Sequence, residues 1–546
     1  MVSSTEFGQP RSEQVPHPGS DFCLVCLLDQ RAEQVAETVH FDCDGDRITF
    51  GRLRSRAREM AASLVAAGVG PGDVVATLAP NSVDHVVAAH ACLRAGAVWA
   101  PLSVSLRQAD YAHSCGNLRP RLLLTTAELY ERHAFLGDPS NQVEVRLFAD
   151  EPSSSVAPRL ETSATAQSPD HHWAPAEMSW VIQSGATTGA PKSIALPHAF
   201  AVSQARRIIQ ALNMRSEDVF FSVLQISHAW LNFGVLAPCL VLGATAATTR
   251  WFSASRWVSQ VHAADATIVD PFLPMAGALL AQPERAEDRT HRVRLAIGVY
   301  GAEHEYERRT AFEERFGIPT VNIYGLTETG GLVTHDRPGD RRAGSVGTVH
   351  ADYEVAVDVD GSWSTVPGMH GEILVRPRLP GIVALGYLGQ AEKTLETWRD
   401  LWIHTGDLGH FDDAGHLYLS GRQAFWVRRK GENVSVSEVE EALLDLDGVT
   451  GVGVFGVPSP MGDQDIAAVL VPAAGVALQA EEVAALLRER IAFYKVPRYL
   501  RFVAEIPRTV KGDVDQRQLV EDFDASLYGD VEGAHQPPTL RPDDGR

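Results

Sequence analysis

A nine-residue run rich in glycine and hydroxyl groups carries the residue types that an anion-binding loop requires. It follows the apolar, strand-like residues 180–182 and reads Ser184-Gly185-Ala186-Thr187-Thr188-Gly189-Ala190-Pro191-Lys192. Glycines let the backbone approach an anion closely, hydroxyl and free N–H groups donate hydrogen bonds, and the lysine adds positive charge. The glycine spacing, and the proline before Lys192, differ from the P-loop pattern GxxxxGK[ST]. The run therefore predicts a phosphate-binding loop outside the P-loop class.

Three further motifs follow this loop in order along the chain. They are Ile323-Tyr324-Gly325-Leu326-Thr327-Glu328-Thr329, then Trp402-Ile403-His404-Thr405-Gly406-Asp407-Leu408, then Gly421-Arg422 with Gly431-Glu432-Asn433-Val434. Together the four resemble the AMP-forming adenylating superfamily of acyl-CoA synthetases, aryl-AMP ligases, peptide-synthetase adenylation domains and luciferases. The resemblance extends from about residue 50 to about residue 519. Residues 324–339 and 430–437 look most similar to carnitine and crotonobetaine CoA ligases.

The resemblance implies ATP and Mg²⁺ as cofactors and gives the motif residues roles. Activation of an oxyanion by ATP needs screening of the phosphates, a metal ion and groups that fix the nucleoside. By resemblance, Thr187, Thr188 and Lys192 hold the β- and γ-phosphates. Thr327 contacts the α-phosphate and Glu328 binds magnesium. The residues expected to hold the rest of the nucleotide are Ser184, Gly189, Gly301, Ala302, Glu303, Tyr324 (stacked on adenine), Gly325, Asp407 (on the ribose) and Arg422.

Substrate-pocket candidates lie near the same motifs. In the family a histidine or aromatic residue stands at the mouth of the acyl pocket, where this chain has Ser227-His228-Ala229-Trp230. Packing of His228 and Trp230 against a helix over residues 236–241 is the alternative explanation. The full set suggests an aromatic or medium-sized apolar substrate, and it comprises His228, Trp230, Phe233, Tyr300 and Leu326.

The C-terminal region departs from the family pattern. Relatives carry a lysine in a Ser-Gly-Lys run that bridges the substrate carboxylate and the α-phosphate, whereas this chain places Asp513 at that position. A carboxylate beside developing phosphate charge opposes the reaction. Lys511, two residues earlier, is the candidate replacement and is assigned as catalytic on that basis. The usual hinge Asp or Lys is Ala424 here.

Three functions are compatible with these residues. The first is ATP-dependent, AMP- and pyrophosphate-forming activation of a small carboxylate, with transfer to CoA or another thiol. The second is an ATP-dependent diazotase of natural-product biosynthesis, in which nitrite is activated and captured by an aromatic amine. A small anion has less need of the missing lysine. The third is a nucleotide-binding pseudoenzyme, against which the intact Lys192, Thr327, Glu328, Asp407 and Arg422 argue.

Composition restricts the partners. The 546 residues include 48 Lys and Arg against 69 Asp and Glu, a net charge of −21, which argues against a nucleic-acid or anionic-membrane partner. No run of 18 apolar residues and no basic-then-apolar N-terminus is present, so a cytoplasmic location is expected. Cys23 and Cys26 form a lone CxxC motif, and we expect them to pack as small hydrophobes.

The element pattern predicts an α/β fold with two domains. Strands at 73–78 and 97–101 flank a helix at 83–94, which is typical of parallel βαβ units. We expect disorder over 1–20, a large N-terminal domain over 21–420 with a small β-rich subdomain, a hinge at 421–425, a small mobile α+β domain over 426–525 and a disordered tail over 526–546. His171 and His172 are expected to be solvated. Ser437 and Glu440 are expected to form a helix capping box.

Overall fold

The computed structural model describes residues 23–106, 108–138, 143–148, 158–161, 171–183, 192–298, 306–337, 341–359, 361–422, 426–429, 432–459, 464–491, 495–508 and 514–531. Within these residues the chain forms three large sheets followed by a smaller α+β region. The predicted α/β fold is confirmed. Among the described helices, none is both long enough and apolar enough to cross a membrane.

The first seven-stranded sheet is parallel except at one edge. Its order is β13-β12-β11-β9-β10-β1-β2, and only β2 runs antiparallel to its neighbour. The strands are β1 (Val39–Cys43), β2 (Asp46–Thr49), β9 (Val219–Ser222), β10 (Thr245–Thr248), β11 (Ile268–Val269), β12 (Leu295–Ile297) and β13 (Thr320–Val321).

The second seven-stranded sheet has the order β20-β8-β7-β4-β3-β5-β6. Strands β3 to β7 pair in parallel, whereas β8 and β20 are antiparallel additions at one edge. The strands are β3 (Val74–Leu78), β4 (Val98–Leu102), β5 (Leu122–Thr125), β6 (Glu144–Leu147), β7 (Met178–Gln183), β8 (Ser193–Pro197) and β20 (Gly386–Tyr387).

Five helices fill the space between these two sheets. The largest cluster of buried apolar side chains combines both sheets with α1 (Leu24–Gln34), α2 (Phe50–Ala66), α3 (Val83–Arg94), α6 (Ala199–Leu212) and α7 (Ala237–Leu242). The predicted helix over 83–94 is confirmed with those bounds, because the Ser82 hydroxyl accepts from the His85 N–H and begins it. The outer faces carry α4 (Gln108–Leu118), α5 (Ala127–Arg132), α8 (Trp257–Ala263), α9 (Leu273–Leu280) and α10 (Tyr306–Phe316).

The third sheet is antiparallel and forms the expected β-rich subdomain, with the short helix α11 (Ala391–Thr397) beside it. Its order is β14-β15-β16-β23-β22-β19-β17-β18, and β21 pairs with β22. The strands are β14 (Ile323–Tyr324), β15 (Thr334–His335), β16 (Ser345–Val349), β17 (Tyr353–Val359), β18 (Ser362–Ser364), β19 (Gly371–Pro377), β21 (Trp398–Arg399), β22 (Trp402–Phe411) and β23 (His416–Arg422).

The chain enters and leaves this sheet at two defined points. It passes from β13, in a different sheet, to β14 at Asn322. The Asn322 N–H donates to Asp336 Oδ2 at 2.8 Å, which turns the backbone there. Strand β23 extends to Arg422, so the first two residues of the expected hinge belong to the sheet, while residues 423–425 lie outside the described part.

The C-terminal region begins with the hairpin β24 (Trp426–Arg429) and β25 (Glu432–Ser435). A four-stranded sheet follows, in the order β26 (Val449–Pro458), β27 (Gln464–Pro472), β28 (Tyr499–Phe502) and β29 (Gly529–Asp530). Its helices are α12 (Val436–Leu444), α13 (Ala480–Arg488) and α14 (Gln516–Glu521). Its apolar side chains form clusters separate from those of the N-terminal sheets.

The tail was expected to be disordered from residue 526, which is wrong for residues 526–531. Strand β29 pairs with β28, and Asp530 forms an ion pair with Arg498 at 3.0 Å. Tyr528 packs against Phe523 with ring centroids 5.0 Å apart. These contacts anchor the segment to the sheet. The remaining residues 532–546, like residues 1–20, lie outside the described part of the chain.

Three local predictions also fail. The capping box is wrong, because α12 begins at Val436 and Glu440 Oε1 accepts instead from the Val454 N–H at 3.0 Å. His171 is not solvated: its Nε2 lies 3.2 Å from Glu177 Oε1, and its ring packs edge-on against Trp173, whereas His172 is exposed. Cys23 is buried as expected, but Cys26 is exposed.

Glu440 makes the stability of the C-terminal region depend on pH. Burial raises the pKa of Glu440 from 4.5 to about 7, and the Val454 N–H offsets this only in part. Between these two values the folded state binds a proton that the unfolded state has lost, so stability falls as pH rises.

Glu440→Gln keeps the acceptor for Val454 and removes the charge. We expect the variant to match the wild type near pH 4 and to be more stable by roughly 2 kcal/mol at pH 8. Denaturant unfolding at both pH values checks this, with the exposed neighbour Glu441→Gln as the control. An equal stability of Glu440→Gln and wild type at pH 8 contradicts the assignment.

Candidate active site

The second motif forms a compact turn between β14 and β15. The Gly331 N–H donates to the Leu326 carbonyl at 2.8 Å, and the Leu326 N–H donates to Thr329 Oγ1 at 2.9 Å. A Cβ on Gly325 would lie 1.5 Å from the Gly331 carbonyl oxygen, so only glycine fits there. Thr327 and Glu328 sit half-buried at the tip of this turn.

Side chains of helix α6 contact the backbone of this turn. Buried Arg207 donates to the Gly330 carbonyl at 2.9 Å, and its guanidinium lies 5.2 Å from the Tyr353 ring centroid. A Cβ on Gly331 would lie 2.1 Å from Gln204 Oε1. Gly330 and Gly331 have φ angles of +97° and +82°, a region that side chains disfavour. The turn is therefore held by contacts between its backbone and the Gln204 and Arg207 side chains of α6.

Two of the predicted nucleoside residues meet at one end of this turn. The Tyr324 hydroxyl donates to Asp407 Oδ2 at 2.8 Å, and both side chains are buried. Asp407 lies in β22 and is the cross-strand partner of Arg422 in β23, which places the Arg422 backbone beside it. The structure thus brings together Tyr324, the residue expected to stack on adenine, and Asp407, the residue expected to bind ribose.

Sequence reasoning missed Glu372, which supports Asp407. Glu372 in β19 accepts from the Gly406 N–H at Oε1, 2.9 Å away, and its Oε2 lies 2.8 Å from His404 Nδ1. Gly406 has a φ of +73°, so the chain bends immediately before Asp407. The signal was present in the run 371–375, which fits a family pattern, but no role followed from it.

The predicted phosphate and metal residues meet at the other end of the turn. Lys192, which precedes β8, donates to the Tyr387 hydroxyl at 3.5 Å, and that hydroxyl donates to Glu328 Oε1 at 2.9 Å. Glu328 therefore keeps its second oxygen clear of hydrogen bonds to the described residues. A half-exposed carboxylate oxygen is a ligand that magnesium favours, so the residue fits the expected ion.

The pocket candidates divide into two groups. Trp230 is held by a buried acid, because its Nε1 donates to Asp270 Oδ2 at 2.7 Å; burial raises the pKa of Asp270 to about 8. His228 is half-buried and its Nδ1 accepts from the Trp230 N–H, while Leu326 is half-buried in the turn. Phe233 lies in the core between Trp180 and Phe200 and is 1% exposed.

The remaining candidates lie outside the described residues. They are Ser184, Thr187, Thr188, Gly189, Tyr300, Gly301, Ala302, Glu303 and Lys511, together with Asp513. Residues at both ends of the first loop are described, and Gln183 and Lys192 place it between β7 and β8.

The fold is that of an AMP-forming adenylating enzyme. The model of the AMP-binding enzyme family matches residues 28–388, and that of the AMP-binding enzyme C-terminal domain matches residues 438–513. The chain belongs to the AMP-binding enzyme family, and the predicted superfamily is confirmed.

Individual relatives agree with this assignment. The chain is 30% identical to a feruloyl-CoA synthase of Amycolatopsis sp over 87% of its own length and 94% of the relative's. It is 27% identical to a crotonobetaine/carnitine–CoA ligase of Escherichia coli, over 87% of its own length and 93% of the relative's. A solved structure of O-succinylbenzoate coenzyme A synthetase of Bacillus subtilis, in complex with ATP and magnesium ion, has the same fold. Its TM-score is 0.76 at 24% identity, covering 90% of this chain and 98% of that one.

Asp407→Ala tests the nucleoside end of the site. The change removes the acceptor expected for the ribose hydroxyls and leaves the buried Tyr324 hydroxyl without its 2.8 Å partner. We expect ATP to bind about 10- to 100-fold more weakly by isothermal titration calorimetry. Asp413→Ala, an exposed position beyond the end of the same strand, is the control and should bind as the wild type does. Unchanged affinity of Asp407→Ala contradicts the assignment.

Proposed function

We propose that this protein activates a small carboxylate with ATP, forming an acyl-AMP and pyrophosphate, and then transfers the acyl group to CoA or another thiol. The observation that carries the proposal is the placement of two residue sets at the two ends of one rigid turn. Tyr324 and Asp407 form a nucleoside-binding end, and Lys192 and Glu328 form a phosphate-binding end. A nucleoside triphosphate is divided in the same way, because it has an aromatic base and a sugar at one end and charged phosphates at the other.

The residues act by position and charge. Tyr324 and Asp407 would hold the nucleoside so that the α-phosphorus lies at the turn, where the Thr327 hydroxyl can donate to the phosphate oxygens. The Lys192 ammonium would stabilise the negative charge that develops on the leaving pyrophosphate. Glu328 would hold a magnesium ion, which would further screen the charge of the phosphates. The substrate oxygen would approach from the side of His228 and Trp230.

The relatives support a carboxylate as the substrate and a thiol as the acceptor. The names of the feruloyl-CoA synthase and the crotonobetaine/carnitine–CoA ligase describe joining of an acid to CoA, and the chain spans nearly the whole of both. Feruloyl is an aromatic acyl group, which suits the Trp230 and Phe272 rings that pack edge to face at 5.4 Å.

AMP formation tests the proposal directly. Purified protein is incubated with ATP and magnesium and either a panel of aryl and alkyl carboxylates with CoA, or nitrite with aromatic amines. We expect AMP and a CoA thioester with at least one carboxylate, and Lys192→Ala should lower the rate because the phosphate charge is no longer matched. If AMP forms only with nitrite, the proposal is wrong and the protein is assigned as a diazotase.

Asp513 is the observation that favours that second function. It reverses the charge at the position where the family places a lysine, and nitrite has less need of that lysine. Asp513→Lys should therefore raise the carboxylate-dependent rate if an ancestral carboxylate activity has been lost with the lysine. An unchanged carboxylate rate in Asp513→Lys, with a lowered rate in Lys511→Ala, assigns the role to Lys511.

A further inference from the structure

Tyr387 stands between the two charged groups at the phosphate end of the site. It lies in β20, which pairs with β8 in the register Tyr387 to Ile194, two residues beyond Lys192. The Ala384 N–H donates to the Glu328 carbonyl at 3.0 Å, so the chain leading into β20 also lies against the turn. Two separate backbone contacts thus bring residue 387 to both Lys192 and Glu328.

The hydroxyl of Tyr387 connects these two groups. It accepts from Lys192 Nζ at 3.5 Å and donates to Glu328 Oε1 at 2.9 Å, while the ammonium lies 4.8 Å from the centroid of the ring. A tyrosine hydroxyl has one proton to donate and lone pairs to accept, so it can serve a cation and an anion at once. The ring face adds attraction for the ammonium.

The surroundings of Tyr387 hold this hydroxyl in place. The side chain is 6% exposed and packs edge-on against Trp398 with centroids 5.6 Å apart. The Tyr387 N–H donates to Thr394 Oγ1 at 2.9 Å. Gly386 has a φ of +134°, and a Cβ there would lie 2.7 Å from Thr394. The backbone at Gly386 and Tyr387 is therefore held by its contacts with Thr394.

We infer that Tyr387 is a positioning residue that orients the Glu328 carboxylate for a divalent cation and holds the Lys192 ammonium beside it. The inference rests on the proposed function of this end of the site. With Oε1 committed to Tyr387, the second oxygen of Glu328 has a defined direction. Without the hydroxyl, the Glu328 carboxylate is free to rotate and to form an ion pair with Lys192. That ion pair would compete with metal binding by Glu328 and with phosphate binding by Lys192.

Tyr387→Phe tests this inference, because it keeps the ring and removes the hydroxyl. Binding of Mn²⁺, used as a paramagnetic substitute for Mg²⁺, is followed by electron paramagnetic resonance in the presence of ATP. ATP affinity is measured by calorimetry with Mg²⁺ and with EDTA. We expect about 10-fold weaker Mn²⁺ binding and an equal loss of the Mg²⁺-dependent part of ATP affinity. The affinity in EDTA should change little.

Tyr528→Phe is the matched control. Tyr528 is also a buried tyrosine with a cation over its ring, but it lies in the C-terminal region and packs against Phe523. Its metal and nucleotide affinities should equal those of the wild type.

A double-mutant cycle with Glu328→Gln separates positioning from a general loss of structure. If Tyr387 acts through Glu328, the effect of Tyr387→Phe on Mn²⁺ binding should disappear in the Glu328→Gln background. An effect of equal size in both backgrounds, or wild-type Mn²⁺ binding by Tyr387→Phe, overturns the inference. Because these readouts need no acceptor substrate, they remain decisive if no carboxylate is turned over.

Discussion

The buried guanidinium of Arg207 against the Gly330 carbonyl is the contact on which the site depends. It fixes a turn in which three glycines leave no room for side chains, and it connects that turn to a helix that lies between two sheets. A charged group this deeply buried is costly to leave unpaired. The ion pair with Asp352 at 3.5 Å and the ring of Tyr353 accompany it. These contacts attach the turn to the core of the large domain.

A rigid turn allows a single short segment to serve both ends of a long ligand. Tyr324 and Glu328 are four residues apart, yet each is completed by a residue from a distant part of the chain, Asp407 for the first and Tyr387 for the second. In both cases the supporting contact is a hydrogen bond from a tyrosine hydroxyl to a carboxylate oxygen. The acid is thereby oriented before any ligand arrives, which lowers the entropy that binding must overcome. Glu372 extends the same arrangement outward by fixing the bend at Gly406.

The sequence was informative where local chemistry decides structure. The helix over 83–94 was predictable because Ser82 caps it and its apolar residues recur at helical spacing. Tyr324 and Asp407 were expected in one site because their motifs resemble a family, and the structure places them in contact. The helix followed from local pattern alone, whereas the Tyr324–Asp407 contact, between residues 83 apart in the chain, was expected only through the family resemblance.

Where long-range packing decides, the sequence was misleading or silent. Ser437 and Glu440 have capping-box spacing, but Glu440 turns instead to the N–H of Val454 in a neighbouring strand. Nothing in the sequence around Phe233 indicated that the rings of Trp180 and Phe200 pack against it. The role of Tyr387 depends on its contact with Glu328, which is 59 residues away in the chain. Asp270 likewise depends on a hydrogen bond from the indole of Trp230, 40 residues away. No local pattern contains such pairings.

The most direct test of the account is a crystal structure of the protein with ATP and magnesium bound. In that structure we expect adenine against Tyr324, ribose hydroxyls at Asp407, phosphate oxygens at Lys192 and the ion on Glu328, with the turn over 324–331 unmoved. A nucleotide bound elsewhere, or a turn that rearranges to admit it, would contradict the claim that one preformed turn organises the site.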